Sequence, residues 1–184
     1  MISTGPLFDK FTLPQSVTSG NTDTQIIPIN DNSWGPSTPG KSTRVITTRP
    51  TGSNINIGGG KLIISGGGSS TASLTYNYTA NGGNSADLTN TLIMMSLSNN
   101  LDVHLTYRDI NGVSFPDTPS LSGNIATWDT SITRIFRPNL LINQIASIEF
   151  NFLFGTTPVQ VNSLTSAFIN PSGGMGSTTN TCGY

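Results

Sequence analysis

Groups that titrate or attack are scarce in this chain, and each stands nearly alone. His104 is the only histidine and Glu149 the only glutamate. A serine–histidine–aspartate relay would have to run through His104, which lies between Val103 and Leu105 in an alternating run and so belongs to the polar, solvated face of a strand. A glycosidase pair would have to join Glu149 to an aspartate or use two aspartates; polar alternation within its own run accounts for Glu149 more simply. Zinc needs several nitrogen or sulfur ligands, and with Cys182 the single cysteine neither a thiolate cluster nor an intrachain disulfide can form. Asp23, Asp31, Asp87, Asp109, Asp117 and Asp129 fall in loops, where calcium with backbone carbonyls is conceivable. No EF-hand spacing is present, however, and aspartate in loops usually shapes turns. Gly58 to Lys61 and Gly66 to Ser70 look like phosphate cradles only superficially, because no Gly-Lys-Ser/Thr follows a strand and no helix opens after them. Trp34, Trp128, Tyr76 and Tyr78 suit stacking on sugar rings, but core filling accounts for them more cheaply. The residues therefore point to no catalytic group, no metal and no cofactor.

The elements that carry these residues are embedded in an unusual composition. Of 184 residues only 9% are charged, while 23 Ser, 26 Thr, 19 Asn and 20 Gly make up 88, so hydroxyls and amides solvate the surface. The length suits one domain of about 150 residues or a little more. Eight basic residues against nine acidic ones leave a net charge of −1, and their scatter argues against nucleic acid as a partner, since binding it needs a concentrated positive patch. The first twenty residues show neither the basic start nor the apolar run of a leader, and no stretch approaches about 18 apolar residues. The expectation is a chain without a visible export signal and without a membrane span.

Residues 1–43 hold five of the eleven prolines and read as an N-terminal arm with edge strands in Phe8 to Val17 and Gln25 to Ile29. From Thr43 onward short β-branched runs alternate with glycine clusters. Expected strands are Arg44 to Thr48, Asn54 to Ile57, Lys61 to Ser65, Thr71 to Thr79, Thr91 to Leu97, Leu101 to Tyr107, Asn124 to Trp128, Ile132 to Arg137, Ala146 to Phe154, Val159 to Val161 and Ser166 to Ile169. Asn111-Gly112 has the signature of a type I′ hairpin turn. Alternation puts Leu74, Tyr76, Val103, Leu105, Phe150 and Phe152 in a core between two sheets. The fold class is all-β: a two-sheet antiparallel sandwich, jelly-roll-like, spanning 44–170, with an extended arm before it and a flexible Gly/Ser/Thr-rich tail at 171–184.

In order along the chain, Phe8 to Thr18, Arg44-Val45-Ile46, Leu74 to Tyr78, Asp109-Ile110-Asn111-Gly112 and Ile132 to Ile135 resemble the β-sandwich ectodomains of bacterial PEP-CTERM-type exported proteins. The resemblance implies a jelly roll and carries over no enzymatic residue; the leader, the Pro-Glu-Pro signal and the hydrophobic anchor of that family are not seen here. By type, a sandwich of few charges with long polar ends is similar to the decoration or cement proteins of tailed bacteriophages. That similarity implies a non-enzymatic virion protein on the capsid exterior, a homotrimer gripping the major capsid protein. The arm residues Leu7, Phe8, Phe11, Leu13, Ile26, Ile27 and Ile29 are then the expected partner-binding surface, adding strands to an exposed sheet edge. The alternative expectation is an extracellular carbohydrate-binding or adhesive β-sandwich module, part of a tail fibre or surface protein.

Overall fold

The computed structural model of the chain describes residues 2–18, 20–27, 42–49, 52–66, 70–99 and 101–169. The strands in chain order are β1 (Ile2–Asp9), β2 (Gln15–Thr18), β3 (Thr22–Ile26), β4 (Thr43–Arg49), β5 (Asn54–Gly58), β6 (Lys61–Ser65), β7 (Ser70–Asn77), β8 (Thr91–Leu97), β9 (Asp102–Asp109), β10 (Ser114–Asp117), β11 (Ser120–Ser122) and β12 (Ile125–Asp129). The helix α1 (Thr130–Phe136) separates these from β13 (Ile145–Phe154) and β14 (Val159–Ile169).

Every pairing is antiparallel, and the strands divide between two sheets. One sheet runs β11-β12-β8-β14-β6-β5-β2, with β1 also pairing β14; the other runs β10-β9-β13-β7-β4-β3. This is the two-sheet, jelly-roll-like sandwich that the alternation implies. Its core is built in rows. Ile46, Leu74, Phe150 and Leu105 stand opposite one another on four adjacent strands, and all four are fully buried. Tyr76 and Trp128 pack edge-on to the Phe150 ring, with centroids 6.4 and 5.4 Å away. Tyr76, Val103 and Phe152 are buried as well.

Three local expectations need correction. The run Ile132 to Arg137 is the helix α1 rather than a strand, because Asp129 caps it: its Oδ1 accepts from the Ser131 amide at 2.9 Å and the Ser131 hydroxyl at 2.5 Å. A cap at the end of β12 supplies the orphan amide with a partner and turns the chain into a helix despite its β-branched residues. The Asn111-Gly112 turn is not type I′, since of the pair only Gly112 has a positive φ, +80°. Instead the Asp109 carboxylate accepts from the Asn111 and Val113 amides at 2.9 Å each, and that Asx geometry favours a three-residue loop ending on a left-handed glycine. Val159 to Val161 and Ser166 to Ile169 are the two ends of one strand, β14, joined through a register shift between Val161 and Ser163. At the N-terminus the chain supplies edge strands, as expected: β2 and β3 end the two sheets, while β1 pairs β14. The expected tail at 171–184 lies outside the described residues.

Candidate functional site

The same alternation that fills the core leaves a polar face on the outside of the six-stranded sheet. Along one row, Val45, Thr75, Glu149 and Thr106 stand opposite one another on β4, β7, β13 and β9; along the next stand Thr47, Ser73, Asn151 and His104. Thr22 of the edge strand β3 extends the second row, its hydroxyl 3.0 Å from that of Thr47. A further row carries Thr71, Leu153 and Asp102. Side chains facing each other across adjacent strands are about 5 Å apart, so these rows form a lattice of hydroxyl, amide and carboxylate groups. A shallow trough of about 360 Å³ lies along it, lined by Thr47, Thr71, Ser73, Thr75, Glu149, Asn151 and the partly exposed Leu153.

The histidine on this face belongs to an open pair. The His104 Nε2 lies 2.9 Å from Asp102 Oδ1, and the Nδ1 lies 3.5 Å from the Thr118 hydroxyl. That order resembles a relay, but the Asp102 side chain is 65% exposed and 3.5 Å is a weak hydrogen bond. Nothing there fixes the imidazole as a buried carboxylate would.

Four of the aspartates weighed for calcium, Asp87, Asp109, Asp117 and Asp129, accept from backbone or hydroxyl donors, Asp129 through the cap of α1, and Asp31 lies outside the described residues. Asp87 accepts from the Thr89 amide, Asp109 from Asn111, Val113 and Leu141, and Asp117 from the Thr133 hydroxyl at 2.8 Å. Among the described residues no three His, Cys, Asp or Glu gather into a set able to hold a metal ion. Burial raises the Asp117 pKa above the usual carboxylate value, an effect that the bonds from Thr133 and the Thr118 backbone oppose and the Asp129 charge reinforces. Burial also raises Tyr107, beside Asp117 and Asp129, well above the ordinary tyrosine value.

The aromatic residues weighed for sugar stacking do not reach the surface: Trp128, Tyr76 and Tyr78 are buried in the core, and Trp34 lies outside the described residues. Of the expected partner-binding set, Phe11 and Ile27 are 0% and 2% exposed within the chain's own core. Leu13 is half-buried and Ile26, on the edge strand β3, is 54% exposed. Leu7 and Phe8 belong to β1, with side chains outside the described set, as is Ile29 altogether. Of the described members of the set, Phe11 and Ile27 are thus taken up in the core and Ile26 is the one largely exposed.

What sequence reasoning missed is the buried cluster that ties β1 and β2 to the core. Arg44, fully buried, donates from Nη1 to Asp9 Oδ2 at 2.9 Å, from Nε to Gln15 Oε1 at 2.9 Å and from Nη2 to the Leu13 carbonyl at 2.6 Å. The Tyr76 hydroxyl donates to the same Asp9 Oδ2 at 2.5 Å. The one available signal was Arg44 on the core-facing parity of β4, in line with Ile46.

No family model matches the sequence, so the PEP-CTERM-type resemblance has no model behind it, and no curated relative matches. Among solved structures, the chain is similar to PfGH50B (TM-score 0.38, 12% identity, 68% of this chain and 22% of that one). It is also similar to a family 29 carbohydrate-binding module studied as a mutant in ligand recognition (0.40, 14%, 83% and 99%). A third is the family 11 carbohydrate-binding module of a cellulosomal cellulase from Clostridium thermocellum (0.39, 13%, 90% and 95%). This chain spans less than a quarter of the first of these and nearly all of the other two. At such identities and TM-scores the likeness carries no functional inference, and the sandwich stands on its own strand registers.

Proposed function

We propose that the protein is a non-enzymatic carbohydrate-binding β-sandwich module that holds a glycan along the outer face of its six-stranded sheet and works outside the cell. The observation that carries the reading is the trough itself: Thr47, Ser73, Thr75, Glu149 and Asn151 converge on one accessible strip. Sugars present closely spaced hydroxyls, and hydroxyl, amide and carboxylate side chains match them as donors and acceptors. Because Leu153 rather than an aromatic ring supplies the apolar contact, binding rests on hydrogen bonds and is weak, with dissociation constants of about 1 mM for short oligosaccharides. A glycan array probed with the intact chain tests this. Specific binding that is lost in a Thr75→Val/Asn151→Ala variant of unchanged fold is expected; no binding to any glycan overturns the reading.

A second reading, a structural protein held in a larger assembly such as a virion shell, draws on α1. This helix is inverted in its amphipathicity: Thr130 and Thr133 are buried while Ile132, Ile135 and Phe136 are 52%, 74% and 70% exposed. Large apolar side chains kept outward at helical spacing are the kind of surface that protein partners cover. The gripping surface of a capsid-bound trimer would then be α1 instead of the N-terminal residues. Co-purification with a shell protein at fixed stoichiometry, abolished by Ile135→Ser/Phe136→Ser, would favour it; a monomer with unchanged glycan binding in that variant would dismiss it.

A further inference from the structure

Glu149 is the one charged side chain among the described residues that line the trough. It is half-buried, and no other described residue makes an ion pair or hydrogen bond with its carboxylate. Its cross-strand neighbours are Thr75 on one side and Thr106 on the other, both uncharged. Its diagonal neighbours on β9 are Arg108, opposite Ser147, and His104, opposite Asn151; neither forms an ion pair with Glu149, and His104 lies against Asp102 instead. Arg49 stands opposite Thr71 at the far end of the sheet, two strands across and two register steps from Glu149.

A ligand seated on this strip strips water from a carboxylate to which no described side chain is hydrogen-bonded or paired. The loss is recovered only by a donor on the ligand. A sugar hydroxyl supplies a neutral-donor bond, an ammonium supplies a charge-assisted one of roughly twice the strength, and a uronate brings a second negative charge to the same spot, which works against binding. We infer that the trough selects amine-bearing glycans over neutral ones and excludes carboxylated ones, with Glu149 as the residue that decides. This deepens the glycan-binding reading and rests on it.

The test is calorimetric titration of the intact chain with three β-1,4-linked oligosaccharides of matched length and backbone: cello-oligosaccharide, fully deacetylated chitosan oligosaccharide and glucuronan oligosaccharide. A pH of about 5.5 keeps the sugar amine protonated. Expected is an affinity for the chitosan oligosaccharide about tenfold above that for the neutral one, no detectable glucuronan binding, and a preference that shrinks at high salt as screening sets in. Glu149→Gln should bring the amine and neutral affinities within about twofold of each other. Equal affinity for the three sugars, or a preference that survives Glu149→Gln, overturns the selectivity and leaves glycan binding standing. Silence with all three overturns it too, and the array then decides separately whether glycan binding falls with it.

Discussion

Arg44 places a guanidinium, fully buried, between the N-terminal strands and the core, and its partners are complete: Asp9, Gln15, Gln25 and the Leu13 carbonyl. A buried pair of this kind owes its stability to full satisfaction, since removing one member strands a charge away from water. Arg44→Met should therefore lower stability by about 3–5 kcal/mol in denaturant unfolding, and Asp9→Leu/Arg44→Met should recover only the part due to the stranded charge, because the Tyr76 hydroxyl and the Phe11 amide lose their acceptor. The same cluster explains a strained neighbour. Phe11 has a positive φ of +52°, unusual for a bulky residue, and is held there by its amide donating to Asp9 Oδ1 at 2.7 Å and by burial of its ring. Titration gives two further expectations. Burial raises Tyr76, Tyr78 and Tyr107 well above the usual value of 10.0; in the unfolded chain they ionise at the usual value, so the stability linked to them is present below pH 10 and is lost as pH rises toward the folded pKa values. Absorbance titration should show these three ionising only as the protein unfolds in alkali. For Asp117 the raised folded pKa means the linked stability is present below its unfolded value of 3.8 and lost as pH rises through the folded value. Asp117→Asn keeps an acceptor for the Thr133 hydroxyl and should flatten the pH dependence of the unfolding midpoint just above pH 4 without lowering it at neutrality.

At the scale of elements, α1 depends on its cap. Asp129→Ala should cost about 1 kcal/mol, read as a lowered unfolding midpoint, and β13 should be far more sensitive: Phe152→Ala, in a row with Ala72 and Val103, should cost about 3–5 kcal/mol. Strands with a period of two were legible in the sequence because one face of each is core and the other is water, so Leu74, Phe150 and Leu105 declare their own register. The outer lattice of Thr47, Ser73, Thr75 and Asn151 was legible only as the polar complement of those runs. Which strands would sit side by side, and so which hydroxyls would meet, depends on long-range pairing that local pattern does not encode. The helix escaped notice because Ile132, Thr133 and Ile135 are β-branched residues that favour strands in isolation, and the cap that decides the matter is a single Asp129 preceding them. The Arg44 cluster escaped for a related reason: Gln15 and Asp9 read as surface residues until β1 and β2 are placed against β14 and β5.

For the molecule as a whole, the N-terminal strands are structural. Deleting residues 1–20 removes Asp9, Phe11, Gln15 and Val17, all buried, and leaves Arg44 without its carboxylate; the truncated chain should fail to give a cooperative unfolding transition, whereas a free arm would leave one intact. Among the described residues no helix is long and apolar enough to cross a membrane, and the two surfaces that stand out are the polar sheet face and the inverted helix α1. They are distinct in chemistry, hydroxyl-rich against apolar, and the account assigns ligand binding to the first. The most direct check is to map amide chemical shifts of the intact, isotope-labelled chain during titration with a glycan that binds on the array. The account predicts shifts concentrated at Thr47, Ser73, Thr75, Glu149 and Asn151, with α1 unmoved; shifts confined to α1 or to the β8–β12–β14 sheet would contradict it.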